Sequence, residues 1–355
     1  MDYLILAINP GSTSTKIALY ANEKEIFVKT IEHPAYEIAK YNKVSEQFEM
    51  RKEMVLTFLK NNGFETGQLS AVVGRGGMLP SVKSGAYRVN NQMVERLKNN
   101  PITDHASNLG ALVAYEIANS AGIPSYIYDS VRVDELEDIA RISGMPDIPR
   151  TSTSHALNSR AMAIRAAKKY GRKYSDMTFI VAHLGGGISL SVHAKGSMVD
   201  IIADDEGPFS PERAGRVPCK DLIDLCYKVK YDRTTMQKKL RGNGGLKAYL
   251  GTTDARIVEN LIEDGNYEAK LIYEAMAYQV AKGIGELATV VKGKVDRIIL
   301  TGGLAQSPLL TKWIKDRVEF IAPVEIMPGE NELESLAFGA LRVLEGKEEL
   351  KEYVD

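Results

Sequence analysis

The sequence predicts an α/β protein of two domains built on one duplicated plan, and three observations carry that prediction. An apolar run at residues 3–8 enters the small-residue turn Asn9-Pro10-Gly11-Ser12-Thr13-Ser14-Thr15, after which Ile17 and Leu19 alternate with polar neighbours. About half a chain later the run at 178–182 passes through His183-Leu184-Gly185-Gly186-Gly187 into Leu190 and Val192, again with a period of two. A third glycine element, Thr301-Gly302-Gly303, follows the apolar run 297–300 and precedes a helical stretch containing Trp313. The strand–turn–strand context of the first two turns excludes a dinucleotide fingerprint or a Walker loop, because those need glycines that open a helix. Small residues in such a hairpin let successive backbone N–H groups and Ser/Thr hydroxyls converge on anionic oxygens. The third element suits a close approach to the sugar or base edge of a nucleotide.

Length and composition agree with this. A chain of 355 residues exceeds one average core, which makes two domains the expectation. Hydrophobic content of 44%, charged content of 26% and a formal charge of −1 describe an ordinary globular protein. Lys and Arg are balanced by Asp and Glu without a basic run, so nucleic-acid binding as the main role is disfavoured. Cys219 and Cys226 form neither a disulfide framework nor a zinc site, and both are expected to be buried thiols. The N-terminus carries no basic leader, and no apolar run approaches the ~18 residues of a membrane helix, so a cytoplasmic protein without membrane attachment is expected.

Along the chain, the two strands of the first hairpin are followed by a further short strand expected at 21–24. A helix is predicted over 44–61, where Met50, Met54, Val55, Phe58 and Leu59 share a face and Gly63 ends it. The strand at 71–73 leads into Gly74-Arg75-Gly76-Gly77. Another helix spans 107–121 and stops at Gly122-Ile123-Pro124. The strand 125–128 then ends on Asp129, which puts a carboxylate where α/β sites usually form. Breakers are densest at 144–149, so the boundary is placed there, giving domains 1–148 and 149–331. The second half repeats the plan, with a helix at 154–170 before the second hairpin. A long amphipathic helix follows at 267–291, with Ile272, Met276, Val280, Ile284, Leu287 and Val291 in register. A final helix begins at Glu332.

The two motifs also carry a resemblance. Asn9-Pro10-Gly11-Ser12-Thr13-Ser14-Thr15-Lys16 is similar to the first signature of the acetate and butyrate kinases, and His183-Leu184-Gly185-Gly186-Gly187-Ile188-Ser189-Leu190 with Gly196 to their second. The likeness runs on through His105, Asn108-Leu109, Asp129, Thr153-Ser154-His155, Thr253-Asp254-Ala255-Arg256, Thr301-Gly302-Gly303 and Asn331-Glu332, spanning nearly the whole chain in order. It implies the actin-like, ribonuclease H-like fold shared with sugar kinases and Hsp70. In that fold a nucleotide cleft lies between the domains, and the segment 332–355 packs back on the first of them. The compact length, Gly74-Arg75-Gly76-Gly77 and Glu212-Arg213-Ala214-Gly215-Arg216 resemble the butyrate branch more than the acetate branch.

The implied reaction is transfer of phosphate between ATP and a short-chain carboxylate, reversible, with Mg²⁺ and ATP/ADP bound. An acid with a reference pKa of ~4 is already ionised at neutral pH and needs no general base. What the site needs is positive charge where two anions meet. By resemblance Arg75 pairs with the substrate carboxylate through its planar fork. A second arginine comes from the Arg213/Arg216 pair, with Arg216 favoured. Asn9, Asp129 and Glu332 serve the Mg²⁺ shell, and Asn9, Ser12, Ser14, Lys16, His183, Gly185, Gly186 and Gly187 the phosphates. Gly302, Gly303, Asp254 and Arg256 flank the adenosine, with Ala255 where acetate kinases carry an aromatic residue. His155 either donates to the phosphoryl oxygens or supports the site, because the acetate-kinase histidine four positions earlier is Thr151 here. His105 is expected to support from behind, and His33 and His193 to be structural. Branched acids, acetate and propionate remain open as acceptors, and family members are commonly homo-oligomers. The reading from a different class is a nucleotide-gated interaction module like that of Hsp70, which the compact length disfavours.

Overall fold

The computed structural model describes residues 2–227 and 231–355. It divides into two compact units, one formed by residues 1–134 with 331–355 and the other by residues 135–330. The division falls at Asp134, upstream of the breaker cluster at 144–149. That cluster is instead a surface loop of the second unit whose backbone Arg150 ties to Arg141.

In the first unit, β1 (Leu4–Pro10) pairs antiparallel with β2 (Ser14–Ala21), which pairs antiparallel with β3 (Lys24–Glu32). On its other side β1 runs parallel to β4 (Ala71–Arg75). The short β5 (Ala86–Arg88) and β6 (Ser125–Tyr128) complete the sheet together with a C-terminal strand, Leu350–Glu352. The order is Leu350–Glu352, β5, β6, β4, β1, β2, β3. Residues 21–24, read from the sequence as a short strand, are the turn between β2 and β3. Asn22 sits there with φ 54, a conformation that asparagine tolerates better than most residues.

β1 is buried on both faces, which its unbroken apolar run requires. Leu6 and Ile8 join Val113 and Ile117 of helix Asn108–Ala121 in one core. The C-terminal helix Glu332–Leu344 packs against β1, β2, β4 and β6 of the same unit. Helix Asn108–Ala121 crosses β4 at backbone contact, since a Cβ on Gly74 would stand 2.1 Å from the Gly110 carbonyl oxygen. That approach is open only to glycine, and it holds the end of β4, where Arg75 lies.

The second unit repeats the plan. β7 (Phe179–Leu184), β8 (Ile188–Ala194) and β9 (Ser197–Ile202) form an antiparallel meander, and β7 also runs parallel to β10 (Arg297–Gly302), which in turn is parallel to β11 (Val324–Pro328). The order β11, β10, β7, β8, β9 matches β6, β4, β1, β2, β3 strand for strand. Ile180, Ala182, Ile298 and Leu300 face helix Tyr267–Val290, and Phe179, Val181 and Ile299 face helix Ala156–Lys169. This parity is the period-two pattern read twice, once per face. β5, β9, β11 and the C-terminal strand lack a distinctive apolar signal, being short or lying at the edge of a sheet.

Cys219 and Cys226 are both exposed, contrary to expectation. They sit one heptad apart on helix Cys219–Tyr227, which buries none of its residues, so the small thiols gain no apolar surroundings there.

Candidate active site

In the first unit, three residues drawn from distant parts of the chain meet. Asn9 lies near the end of β1, Arg75 is the last residue of β4, and Glu332 opens the C-terminal helix. The Arg75 guanidinium donates to Glu332 Oε1 at 2.5 Å and to Asn9 Oδ1 at 3.4 Å, while Asn9 Nδ2 donates to Glu332 Oε2. β1 and β4 are parallel neighbours in register at Ile8 and Gly74, which brings Asn9 and Arg75 side by side. The helix start is set by Asn331, whose φ of 47 turns the chain so that Glu332 falls on the first turn. Asp129 follows β6, is 3% exposed, and holds a φ of 40, an uncommon conformation of the kind that concentrates at functional sites. Its Oδ1 accepts from the Gly85 N–H at 2.7 Å. No group of three or more His, Cys, Asp or Glu residues suited to a metal occurs among the described residues.

The turn between β1 and β2 exposes Ser12, with Ser14 and Lys16 following on β2. Behind it stands a residue that the sequence reading missed. Arg51 of helix Phe48–Asn61 is 1% exposed, and its guanidinium donates to the carbonyls of Gly11, Ser12 and Ser14. Its signal in the sequence is an arginine set within the apolar stripe of that helix, in line with Val55 and Leu59, where a charge needs buried partners.

His33 is buried beside it, hydrogen-bonded to Thr15 Oγ1 at 2.8 Å. Burial, then the Arg51 charge, lowers its pKa to about 4. His193 in the second unit, between Tyr174 and Ser191, is lowered to about 3 by burial and then by Arg160. Both are buried and hydrogen-bonded within their units, and both are held neutral. The unfolded chain binds protons at these histidines near the ordinary value of ~6.5 while the folded protein does not. Their contribution is therefore complete above that value and is lost as pH falls toward 4 and 3. Urea midpoints should decline through this window, and a flat profile from pH 6.5 to 4 would contradict the assignment.

In the second unit, the His155 and His183 rings stack with centroids 3.9 Å apart and planes 10° from parallel. His155 precedes helix Ala156–Lys169 and bonds Ser189 Oγ through Nδ1 at 2.8 Å. His183 on β7 bonds Asn158 Oδ1 through Nδ1 at 2.9 Å. Asn158 donates its Nδ2 to the carbonyls of Gly329 and Glu330, which fixes its oxygen toward His183. A carbonyl oxygen only accepts, so Nδ1 of His183 carries a hydrogen. Its Nε2 lies on the turn, 3.1 Å from where a Gly185 Cβ would be.

A Cβ at Gly187 would stand 2.0 Å from Arg213 Nη1, so a larger residue there must displace that guanidinium or the turn. Arg213 is largely buried and pairs with Asp204, which also pairs with Arg241 at 2.9 Å. Arg216 is more exposed, donating to the Glu206 carbonyl at 2.6 Å and pairing with Glu286 at 3.3 Å. Arg213, Arg216 and Arg241 line one cavity of about 1200 Å³ together with Asp204, Asp205 and Glu206. Gly302 adopts φ 88 against the Leu184 carbonyl, and its neighbour Gly303 has open space where a Cβ would stand. Between β10 and helix Pro308–Val318 a 3₁₀ turn, Gly303–Gln306, intervenes. Asp254 caps helix Ala255–Glu263 through the Arg256 N–H at 3.0 Å and pairs with the Arg256 guanidinium at 2.6 Å, so these two engage each other. His105 accepts from the Ser107 N–H at 3.2 Å and shapes the start of helix Asn108–Ala121.

Two meander sheets with a parallel fourth strand, each with a glycine or serine turn between its first two strands, define the actin-like ATPase fold. Solved structures share it across the whole chain. The acetate kinase of Porphyromonas gingivalis aligns with a TM-score of 0.79 at 19% identity, covering 96% of this chain and 100% of its own. A propionate kinase from Francisella tularensis gives 0.73 at 19%, covering 95% and 98%. A family model described as the acetokinase family matches residues 150–321. Butyrate kinase 2 of Clostridium acetobutylicum is 50% identical over 355 residues, 99% of this chain and 100% of the relative, and butyrate kinase 1 of that organism is 52% identical over 353 residues, 99% of each. The chain belongs to the acetokinase family. It is a phosphotransferase that uses ATP and a carboxyl acceptor.

Proposed function

We propose that the acceptor is butanoate, converted with ATP to butanoyl phosphate and ADP in a reversible reaction that can run toward ATP. The observation that carries the site is the meeting of Asn9, Arg75 and Glu332 from three distant segments. The choice of butanoate rests on relatives named butyrate kinases at half identity over the full chain.

In this reading a carboxylate oxygen attacks the terminal phosphorus, the bond to the bridging oxygen breaks, and ADP leaves with that electron pair. No proton moves, so the chain's work is charge placement and orientation. Arg75 grips the acid through two N–H groups, exchanging part of its bond to Glu332 for the substrate. Backbone N–H groups at Ser12, Ser14, Gly186 and Gly187, with Lys16, hold phosphate oxygens, and Gly185, whose N–H is taken by the Gly187 carbonyl, lets them approach. His183 presents Nε2 to them and His155 stacks behind it, with Arg213 or Arg216 supplying the second positive charge. Gly303 leaves room for the adenosine beside Gly302, and Asp254 and Arg256 flank it. Asn9, Asp129 and Glu332 offer the hard oxygen donors that Mg²⁺ takes, and so few protein ligands suit an ion that keeps waters and phosphate oxygens. When bound, Mg²⁺ neutralises charge on the transferring phosphoryl group. A cytoplasmic homo-oligomer belongs to the same reading; among the described residues no helix is long and apolar enough to cross a membrane.

Hydroxylamine trapping with Mg-ATP and acids from acetate to valerate, isobutyrate included, tests it. A maximum at butyrate is expected. A maximum at acetate or propionate would replace the acceptor, and one at isobutyrate would move it to branched acids.

A further inference from the structure

From the geometry behind the first turn we infer that Arg51 is a positioning residue for nucleotide phosphate, whose missing counter-ion is the anion bound on the far side of the turn. This rests on the reading of that turn as a phosphate cradle.

Within the turn the Gly11 N–H closes on the Ser14 carbonyl at 2.8 Å, and the carbonyls of residues 11–14 all accept from the protein side. Arg51 Nη1 donates to Gly11 O at 2.7 Å, Ser14 O at 3.1 Å and Thr15 Oγ1 at 3.2 Å, and Nη2 donates to Ser12 O at 3.1 Å. The remaining carbonyl, that of Thr13, accepts from the His33 N–H at 2.8 Å. Every carbonyl of the four-residue turn is thus drawn to the protein side. A trans peptide holds its C=O and the following N–H in one plane, pointing in opposite directions. Drawing in the Gly11, Ser12 and Thr13 carbonyls therefore turns the N–H groups of Ser12, Thr13 and Ser14 the other way. Ser12 and Thr13 are exposed, and among the described residues no protein acceptor bonds their N–H groups. The guanidinium builds the anion nest from behind.

Its charge matters as much as its fork. The guanidinium's other partner is neutral Gln47, whose Oε1 accepts from Nη2 at 2.8 Å and from Nε at 3.2 Å. No carboxylate bonds to it among the described residues, and burial lowers its pKa to about 10. Buried charges are ordinarily paired, because an isolated one is costly. Here the pairing is deferred to a ligand on the other side of one backbone layer. His33, on which the Arg51 charge acts, stays neutral and offers no compensation.

Gln47→Glu separates this role from a structural one. The substitution is nearly isosteric and places a carboxylate on the guanidinium. It is expected to raise the thermal midpoint of the ligand-free protein and, at the same time, to weaken Mg-ADP binding by calorimetry about tenfold. A merely structural arginine predicts the higher midpoint with unchanged ADP affinity, and that result overturns the inference. Arg51→Lys, which keeps charge without the fork, should bind ADP more weakly than wild type and more tightly than Arg51→Met. Equal affinities in all folded variants would also overturn it. If the wild type itself binds no Mg-ADP, the cradle reading fails first; if it binds and Gln47→Glu matches it, the Arg51 inference fails alone.

Discussion

Arg75→Ala is expected to remain folded and to bind ADP normally, yet to lose about 10²–10³-fold in kcat/KM for the acid, the usual consequence of removing one charged donor from a site where charge develops. Its side chain is 21% exposed, and its partners are Glu332 and Asn9, so the core loses nothing. The cost falls on substrate. Two anions must approach, and the repulsion between them is strongest in a site that excludes water. Removing Arg75 also leaves the Glu332 carboxylate, 15% exposed, to repel the incoming acid. Arg75→Lys should recover little, because a point charge cannot span both carboxylate oxygens. Initial rates over an acid titration, with ADP calorimetry as the control, decide the matter. Retention of roughly half the wild-type kcat/KM in Arg75→Ala would remove Arg75 from the acid site.

The second large effect is expected from Gly187→Ala, which should destabilise the second unit by about 1–3 kcal/mol and weaken nucleotide binding at least about tenfold. The new methyl would fall 2.0 Å from Arg213 Nη1 and 2.4 Å from its Cζ. A flexible side chain could move aside, but this one is held by Asp204, itself tied to Arg241. Either the glycine turn shifts or a buried ion pair breaks, and both outcomes disturb the N–H groups meant for phosphate. Gly186→Ala is the internal control. Its Cβ would meet Glu212 Oε1 at 3.4 Å, an ordinary contact, so its stability should barely change. Thermal midpoints and ADP affinities of the two variants suffice, and indistinguishable variants would show that the Arg213 contact does not shape the turn.

Much of this was legible in the chain itself. The period-two runs on either side of each small-residue turn determined the hairpins. The apolar stripe from Ile272 to Leu287 determined the long helix, observed as Tyr267–Val290, and Gly122, where φ is 67, determined the end of helix Asn108–Ala121. These are local signals, since burial face and backbone freedom are written within a few residues of each other. The short strand expected at 21–24 failed for a local reason too: Asn-Glu there makes a turn, and the strand proper, β3, runs on from Lys24 to Glu32. The cysteines failed because burial is decided by what packs on a helix, which its own composition does not state.

Tertiary structure alone decided the groupings to which the proposal assigns chemistry. Arg75 and Glu332 lie 257 positions apart and meet because β4 runs beside β1 and the last helix returns to the first unit. Arg51 lies 40 positions from Gly11, on the helix face that also carries Val55 and Leu59, and nothing local to it says which backbone its guanidinium will meet. The choice between Arg213 and Arg216 as the residue under the glycine turn likewise rests on packing, for both stand in one short glycine-containing stretch and only Arg213 is buried against Gly187. Sequence determines where the backbone must turn, because that is set by neighbours along the chain; which charges end up facing one another is set by neighbours across it.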